Sequence, residues 1–204
     1  MIRSFARGAC IAIAAAGLLA GCSNMPEVHR IAPDQVTDVS GYWNDTDARL
    51  TAEQMIGQML DDPWLKRYES AHAGEQPVVI VGDVTNRSSE HINVGTFIDD
   101  MQRALINSGE VQFVASADQR GAVRGERKDQ DLNASADTRN AMGRETGADF
   151  MMQGSINTIV DAAGDYAVKY YQVDLRLVNM RNNVIAWVGQ KKIKKTVRHG
   201  DVRL

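Results

Sequence analysis

The chain is poor in the residues that catalysis and metal binding draw on. It has four histidines, His29, His72, His91 and His199, and no two stand at the i, i+4 spacing that places a metal-ligating pair on one helix face. Gly82 is an isolated glycine behind an apolar run, without the glycine-rich stretch that cradles a phosphate. No apolar run reaches the roughly 20 residues that a membrane-spanning helix needs. Lys and Arg (23) are outnumbered by Asp and Glu (26), a balance that argues against a nucleic-acid partner, for which a strongly basic face is expected. No repeat of solenoid period is present.

Cysteine is scarcer still, with only Cys10 and Cys22. Arg3 and Arg7 precede the apolar stretch Ala9 to Ala20, the pattern of a secretory signal. Leu19-Ala20-Gly21-Cys22 follows it and resembles the bacterial lipobox, which predicts cleavage after residue 21 and lipidation of Cys22. Buried acyl chains contribute about 0.8 kcal/mol per methylene, so several chains would make attachment effectively permanent. Ser23, rather than Asp, follows the cysteine, and by resemblance to the sorting rule of enteric bacteria this favours the outer membrane, with the domain facing the periplasm. Cys10 leaves with the signal and Cys22 is acylated, so disulfides, thiolate catalysis and cysteine metal sites are excluded.

Residues 22–50 hold Pro26, Pro33, Asp34, Asp38, Ser40, Gly41, Asn44, Asp45 and Asp47 without a sustained apolar period, and read as a flexible tether. Tyr42-Trp43 within it is an aromatic pair suited to packing back on the domain. Residues 51–204 read as the globular domain. Thr51-Ala52-Glu53-Gln54 has capping-box form, and Met55, Ile56, Met59 and Leu60 follow at helical spacing up to Pro63. Trp64, Leu65 and Tyr68 continue the apolar side. Val78 to Val81 suits a strand buried on both faces. Val94, Phe97, Ile98, Met101, Ala104 and Leu105 mark a helix that Gly109 stops, and Val111 to Val114 is a short strand. Ala117 to Asn133 is polar enough to be a long loop or weak helix. Ser135 is expected to cap a helix through Met142, and Phe150 to Ile159 is the third strand.

In the fourth strand Tyr171, Val173, Leu175 and Leu177 alternate with Gln172, Asp174 and Arg176. Hairpins at Asp161 to Asp165 and Met180 to Asn183 join it to its neighbours, the last strand being Val184 to Val188. The expected class is α+β, a mixed, mostly antiparallel sheet packed by helices. Lys191, Lys192, Lys194 and Lys195 read as solvated protection of an edge strand. If Tyr171 and its alternates face the core, Tyr170 and Arg176 face the other way, and Tyr166 at the hairpin extends that patch. Tyr and Arg are enriched at binding hot spots, so these three are the candidate partner-binding residues.

Ser88-Ser89-Glu90-His91 places a hydroxyl, a carboxylate and an imidazole together, but adjacent loop residues make a triad only if the fold orients them, and a helix-entry role is favoured. Asp83, at a strand end, lacks an assignable second carboxylate. No catalytic residue, metal ligand or cofactor is expected.

From Val81 to Ile92, and across the carboxy-terminal half, the chain resembles the LpoB-type activators of bifunctional penicillin-binding proteins. The residues concerned are Asn86-Arg87-Ser88-Ser89-Glu90-His91-Ile92, Leu105 with Ser108 and Gly109, Val111-Gln112-Phe113-Val114, Gly147-Ala148-Asp149-Phe150, Gly154, and Ile185-Ala186-Trp187. The resemblance implies an outer-membrane lipoprotein that is not an enzyme, whose domain binds and stimulates a class A peptidoglycan synthase in cell-wall biogenesis. It implies a fold related to the amino-terminal domain of TolB. The tether is shorter and poorer in proline than in well-known members of that family. The alternatives are a structural or assembly lipoprotein of the envelope on the same fold and, behind it, a small periplasmic hydrolase.

Overall fold

The computed structural model describes residues 27–140 and 142–198. The signal segment, Cys22 and His199 therefore lie outside the described residues. By its internal packing the chain divides into Met1–Gln35, of which 27–35 are described and contain a turn closed by Gln35 N–H on the Ala32 carbonyl (3.1 Å), and Val36–Leu204.

The first helix of the second unit is α1 (Asp45–Asp61), whose Asn44 cap stands seven residues before the expected cap at Thr51. Asn44 and Asp47 form the capping box: the Asp47 N–H donates to Asn44 Oδ1 (3.0 Å), and the Asn44 N–H donates to Asp47 Oδ2 (3.1 Å). Thr51 is not a cap but a fully buried residue inside the helix. Residues 45–50, read as tether, therefore belong to the fold. Asp62 separates α1 from α2 (Pro63–Ala71) and accepts from the Trp64 N–H, while Pro63 occupies the first helical turn, where its missing N–H costs nothing.

After α2 come β1 (Val78–Asn86), α3 (Val94–Ser108), β2 (Gln112–Phe113), α4 (Ala117–Asn133), β3 (Phe150–Ala163), β4 (Tyr166–Asn179) and β5 (Ile185–Arg198). The sheet order is β2-β1-β3-β4-β5. β1 lies parallel to both β2 and β3, and the β3–β4 and β4–β5 pairings are antiparallel, which gives the expected mixed sheet of an α+β fold. α1 packs Ala52, Met55, Ile56 and Met59, and α3 packs Phe97, Met101 and Leu105, on one sheet face that supplies Val79, Met152, Ile156, Val173, Leu175, Leu177 and Trp187. Close strand approach requires glycine at 154, where a Cβ would lie 2.4 Å from the Asp174 carbonyl oxygen.

Three expectations change. β3 and β4 run on to a tight turn at Gly164-Asp165, so Asp161 is paired rather than looped. β5 continues to Arg198, placing the lysine run inside a strand. Ala117–Asn133 takes the helical one of its two expected forms, with its own capping box, Ser116 with Gln119, whereas no helix follows Ser135 among the described residues. Ser135 opens a turn instead, and the Asn140 N–H is held by Gln130 Oε1 (3.1 Å), which folds this segment back along α4.

Candidate functional site

β4 divides its side chains between the two faces of the sheet. Ala167, Lys169, Tyr171, Val173, Leu175 and Leu177 are buried on the helix side; Tyr166 and Arg176 are exposed on the other, with Tyr170, Gln172 and Asp174 half-buried between them. The three candidates thus share a face but do not form a cluster. At 3.3 Å per residue, Tyr170 lies about 13 Å from Tyr166 and about 20 Å from Arg176.

A polar ladder fixes the middle of this face. The Tyr170 hydroxyl donates to Gln172 Oε1 (3.2 Å), the Gln172 amide to Asp174 Oδ2 (2.9 Å), and the Gln190 amide to Asp174 Oδ1 (2.8 Å). Arg176 borders a cavity of about 320 Å³ whose rim includes the exposed Ile185 and Val188. The register also sets Lys194 opposite Tyr170, Lys192 opposite Gln172 and Arg198 opposite Tyr166. These cations were missed as part of the face because the last strand was ended at Val188. The alternation of Lys191, Ile193, Lys195 and Val197 with Lys192, Lys194, Thr196 and Arg198 was the signal available.

On the helix side, the same strands hold buried charge. Glu90, only 7% exposed, receives Lys169 Nζ (2.9 Å), the Tyr171 hydroxyl (2.8 Å) and the Trp43 N–H (3.2 Å). Lys169 Nζ also lies 3.1 Å from the centre of the Tyr42 ring. Next to this group, Lys195 Nζ is 2.6 Å from both Asp38 and Asp47. Burial pushes the Tyr171 hydroxyl far above its ordinary range, and its hydrogen bond to Glu90 adds to the shift. Burial alone would lower the Lys195 pKa, but hydrogen bonds to Asp38 and Asp47 raise it overall, and the Lys195 hydrogen bond holds Asp38 below its ordinary value.

These contacts assign the 86–91 loop and the Tyr42-Trp43 pair. Trp43 packs edge-on against Phe97 and Tyr171 at 6.2 and 5.7 Å between ring centres. Ser88 donates to Asn86 Oδ1 (2.6 Å), Glu90 turns inward and His91 is exposed, so the hydroxyl, carboxylate and imidazole do not converge. Lys195 is not a solvated edge residue but a nearly buried one, and Lys191 bonds Gln54 of α1. Asp83 is exposed at an irregularity in the β1–β3 register. Among the described residues, no group of three or more His, Cys, Asp or Glu is placed to hold a metal ion, and no helix is long and apolar enough to cross a membrane.

Comparisons with known proteins place this architecture. The model of the family described as peptidoglycan-synthase activator LpoB matches residues 47–193, from the first turn of α1 to the middle of β5. Among solved structures, the LpoB carboxy-terminal domain from Salmonella enterica is similar at 19% identity, over 73% of this chain and 99% of that one, with a TM-score of 0.43. The corresponding Escherichia coli domain is 18% identical over 71% and 98%, with a TM-score of 0.39. A lipoprotein from Neisseria meningitidis is 17% identical over 62% and 88%, with a TM-score of 0.38. No curated protein matches the chain. Because the family model spans most of the sequence, from the helix that seals the core to the strand that closes the sheet, the chain belongs to the LpoB family of peptidoglycan-synthase activators.

Proposed function

We propose that this chain is a lipid-anchored regulator that binds and stimulates a bifunctional class A penicillin-binding protein from the periplasmic side of the outer membrane. The observation that carries this reading is the family match over residues 47–193. Cys22 is the acylated residue. Residues 36–44 pack with the domain, which leaves residues 23–35 as tether, at most about 45 Å when fully extended. Tyr166, Tyr170 and Arg176 lie in the binding face, where the ladder through Gln172 and Asp174 holds the Tyr170 ring in place before a partner arrives. With Lys192, Lys194 and Arg198 on the same face, the complementary surface of the synthase is acidic.

The test is capture of the synthase from an envelope extract by the mature chain, followed by measurement of its glycan-polymerising rate with and without the chain. Capture of other envelope proteins with an unchanged rate supports the structural or assembly alternative instead. Replacing Tyr170 or Arg176 by Ala weakens partner binding by about 1–2 kcal/mol in calorimetry, with little change in melting temperature. Unchanged affinity in both variants places the interface elsewhere. Cys22→Ser releases the folded chain from the membrane fraction; retention after a salt wash would refute the anchor.

A further inference from the structure

The opposite edge of the sheet carries a second surface. The Gln112 N–H donates to the Pro77 carbonyl (3.0 Å) and the Val114 N–H to the Val79 carbonyl (3.1 Å), so in this parallel ladder the intervening Phe113 directs its own N–H and C=O away from β1. β2 is the terminal strand of the sheet, and those two groups face its open side. Beyond them lies a cavity of about 310 Å³ between β2, α4 and residues 144–146. Phe113 and Val123 are among its apolar lining, and Arg120, Arg127 and Arg144 bring positive charge to it.

Those guanidinium groups exceed what their one carboxylate can use. Arg124 grips Glu145 with two hydrogen bonds (2.9 and 2.7 Å), and Arg127 adds a third (3.2 Å). Arg120 Nε stands 3.9 Å from the same carboxylate, beyond hydrogen-bonding distance, and is buried without an acceptor, while Arg120 Nη1 donates to the Ala115 carbonyl (3.0 Å). Arg144 makes no ion pair among the described residues. A clasp whose only task was to hold α4 would be complete with Arg124 and Arg127. Glu145 shows what the site takes: a planar carboxylate matched to guanidinium forks.

We infer that the β2 edge is a docking site for an extended peptide bearing a carboxylate. The peptide backbone pairs with Phe113, an apolar side chain enters the cavity, and the carboxylate engages the exposed Arg144, with Arg120 and Arg127 adding positive charge to the same lining. Strand addition supplies the backbone hydrogen bonds, while the cavity and the arginines select the sequence. A free inorganic anion would use only the arginines, whereas the open strand edge and apolar lining add the features of a peptide. This surface lies at the other end of the sheet from the Tyr170 face and does not depend on it.

The test uses the mature chain and a fluorescent tetrapeptide of alternating alanine and valine, in three forms: free carboxyl terminus, terminal amide, and terminal amide with glutamate at the third position. Anisotropy at low ionic strength is expected to show binding of the first or third form and not the second, which also tells a chain terminus from an acidic side chain. Arg144→Ala weakens that binding by about tenfold, as loss of a charged hydrogen bond requires. Because Arg144 is exposed and unpaired, its loss leaves the fold intact. The Phe113 amide signal shifts on titration, and its hydrogen exchange slows. Equal affinity for acid and amide forms, an Arg144→Ala variant that binds like the parent, an unperturbed Phe113 amide, or no binding of either carboxylate form would each overturn the proposal.

Discussion

Two regions of this molecule are tied by ion pairs, and they are built oppositely. Around Glu90 and Lys195 the charged side chains other than Asp38 are almost enclosed: Glu90 is 7% exposed, Lys169 9%, Asp47 9% and Lys195 11%, against 51% for Asp38. Around Glu145 the pairs are more open, with Glu145 29% exposed and Arg124 46%, and α4, to which three of the arginines belong, has no buried residue. The enclosed charges lock strap 36–44 and the 86–91 loop onto long strands with a large apolar core behind them. The open charges substitute for an apolar face that α4 lacks. Similar pairs thus serve as fixed structure in one place and as an exchangeable clasp in the other, because water competes only in the second.

The sharpest way to break this contrast is to remove Glu90. In Glu90→Ala, Lys169 remains buried without its anion, the Trp43 N–H loses its acceptor, and the Tyr171 hydroxyl keeps only the Gly41 carbonyl (3.2 Å). Stranding a buried charge in this way costs about 3–5 kcal/mol, read as a lower midpoint in chemical denaturation. A double variant, Glu90→Gln with Lys169→Met, recovers much of that loss, since neither charge then needs a partner. A single-variant cost under about 1 kcal/mol would place this network with ordinary surface pairs.

How far each region was legible in the sequence follows from the range of its interactions. Val78 to Val81, the Phe97, Met101 and Leu105 stripe, and the β4 alternation are local patterns, and all three sit in the core as expected. The same period-two reading correctly put Tyr166, Tyr170 and Arg176 on one face. Glu90, by contrast, meets partners 79 and 81 residues away, which no local period encodes. One trace was available: Lys169 has the inward parity of Ala167 and Tyr171, and a cation on an apolar face demands a buried partner. The start of α1 was hidden because Asn44, Asp45 and Asp47 are turn-formers that serve equally as caps. α4 reads as either a loop or a weak helix because helical periodicity is read from an apolar stripe, and its sequence has none.

A pH titration separates the regions further. Burial and the neighbouring Asp149 carboxylate push the Tyr68 hydroxyl up to about 12 from its ordinary 10. The folded state therefore favours the neutral phenol. Its contribution to stability is complete below pH 10 and is lost as the pH rises from 10 towards 12. Tyr171, shifted in the same direction, adds to this alkaline loss. Denaturation midpoints measured across that window fall for the parent chain and fall less for Tyr68→Phe. In that variant Asp149 keeps its hydrogen bond from the Val78 N–H (2.9 Å). Parallel curves for the two proteins would show that Tyr68 does not couple ionisation to folding.

The smallest expected effect on global stability is the most informative about α4. Its docking rests on the Arg124 and Arg127 pairs with Glu145, and at about 1 M salt the screening length shrinks to about 3 Å, the scale of the pairs themselves. The exposed clasp then weakens, while the enclosed Glu90 group, with little water between its charges, is hardly affected. The Arg124 hydrogen bond holds the Glu145 carboxyl below its ordinary value, so the clasp is present at neutral pH and is lost only as acid protonates that group. Hydrogen exchange at neutral pH should therefore accelerate across residues 117–133 as salt is raised, with β3, β4 and α3 unchanged. Arg124→Ala should reproduce the acceleration at low salt without moving the melting midpoint, because no core side chain of α4 is lost. If exchange in α4 and in the sheet rose together, the helix would be part of the same cooperative unit as the core, and the distinction between fixed and exchangeable charge would fail.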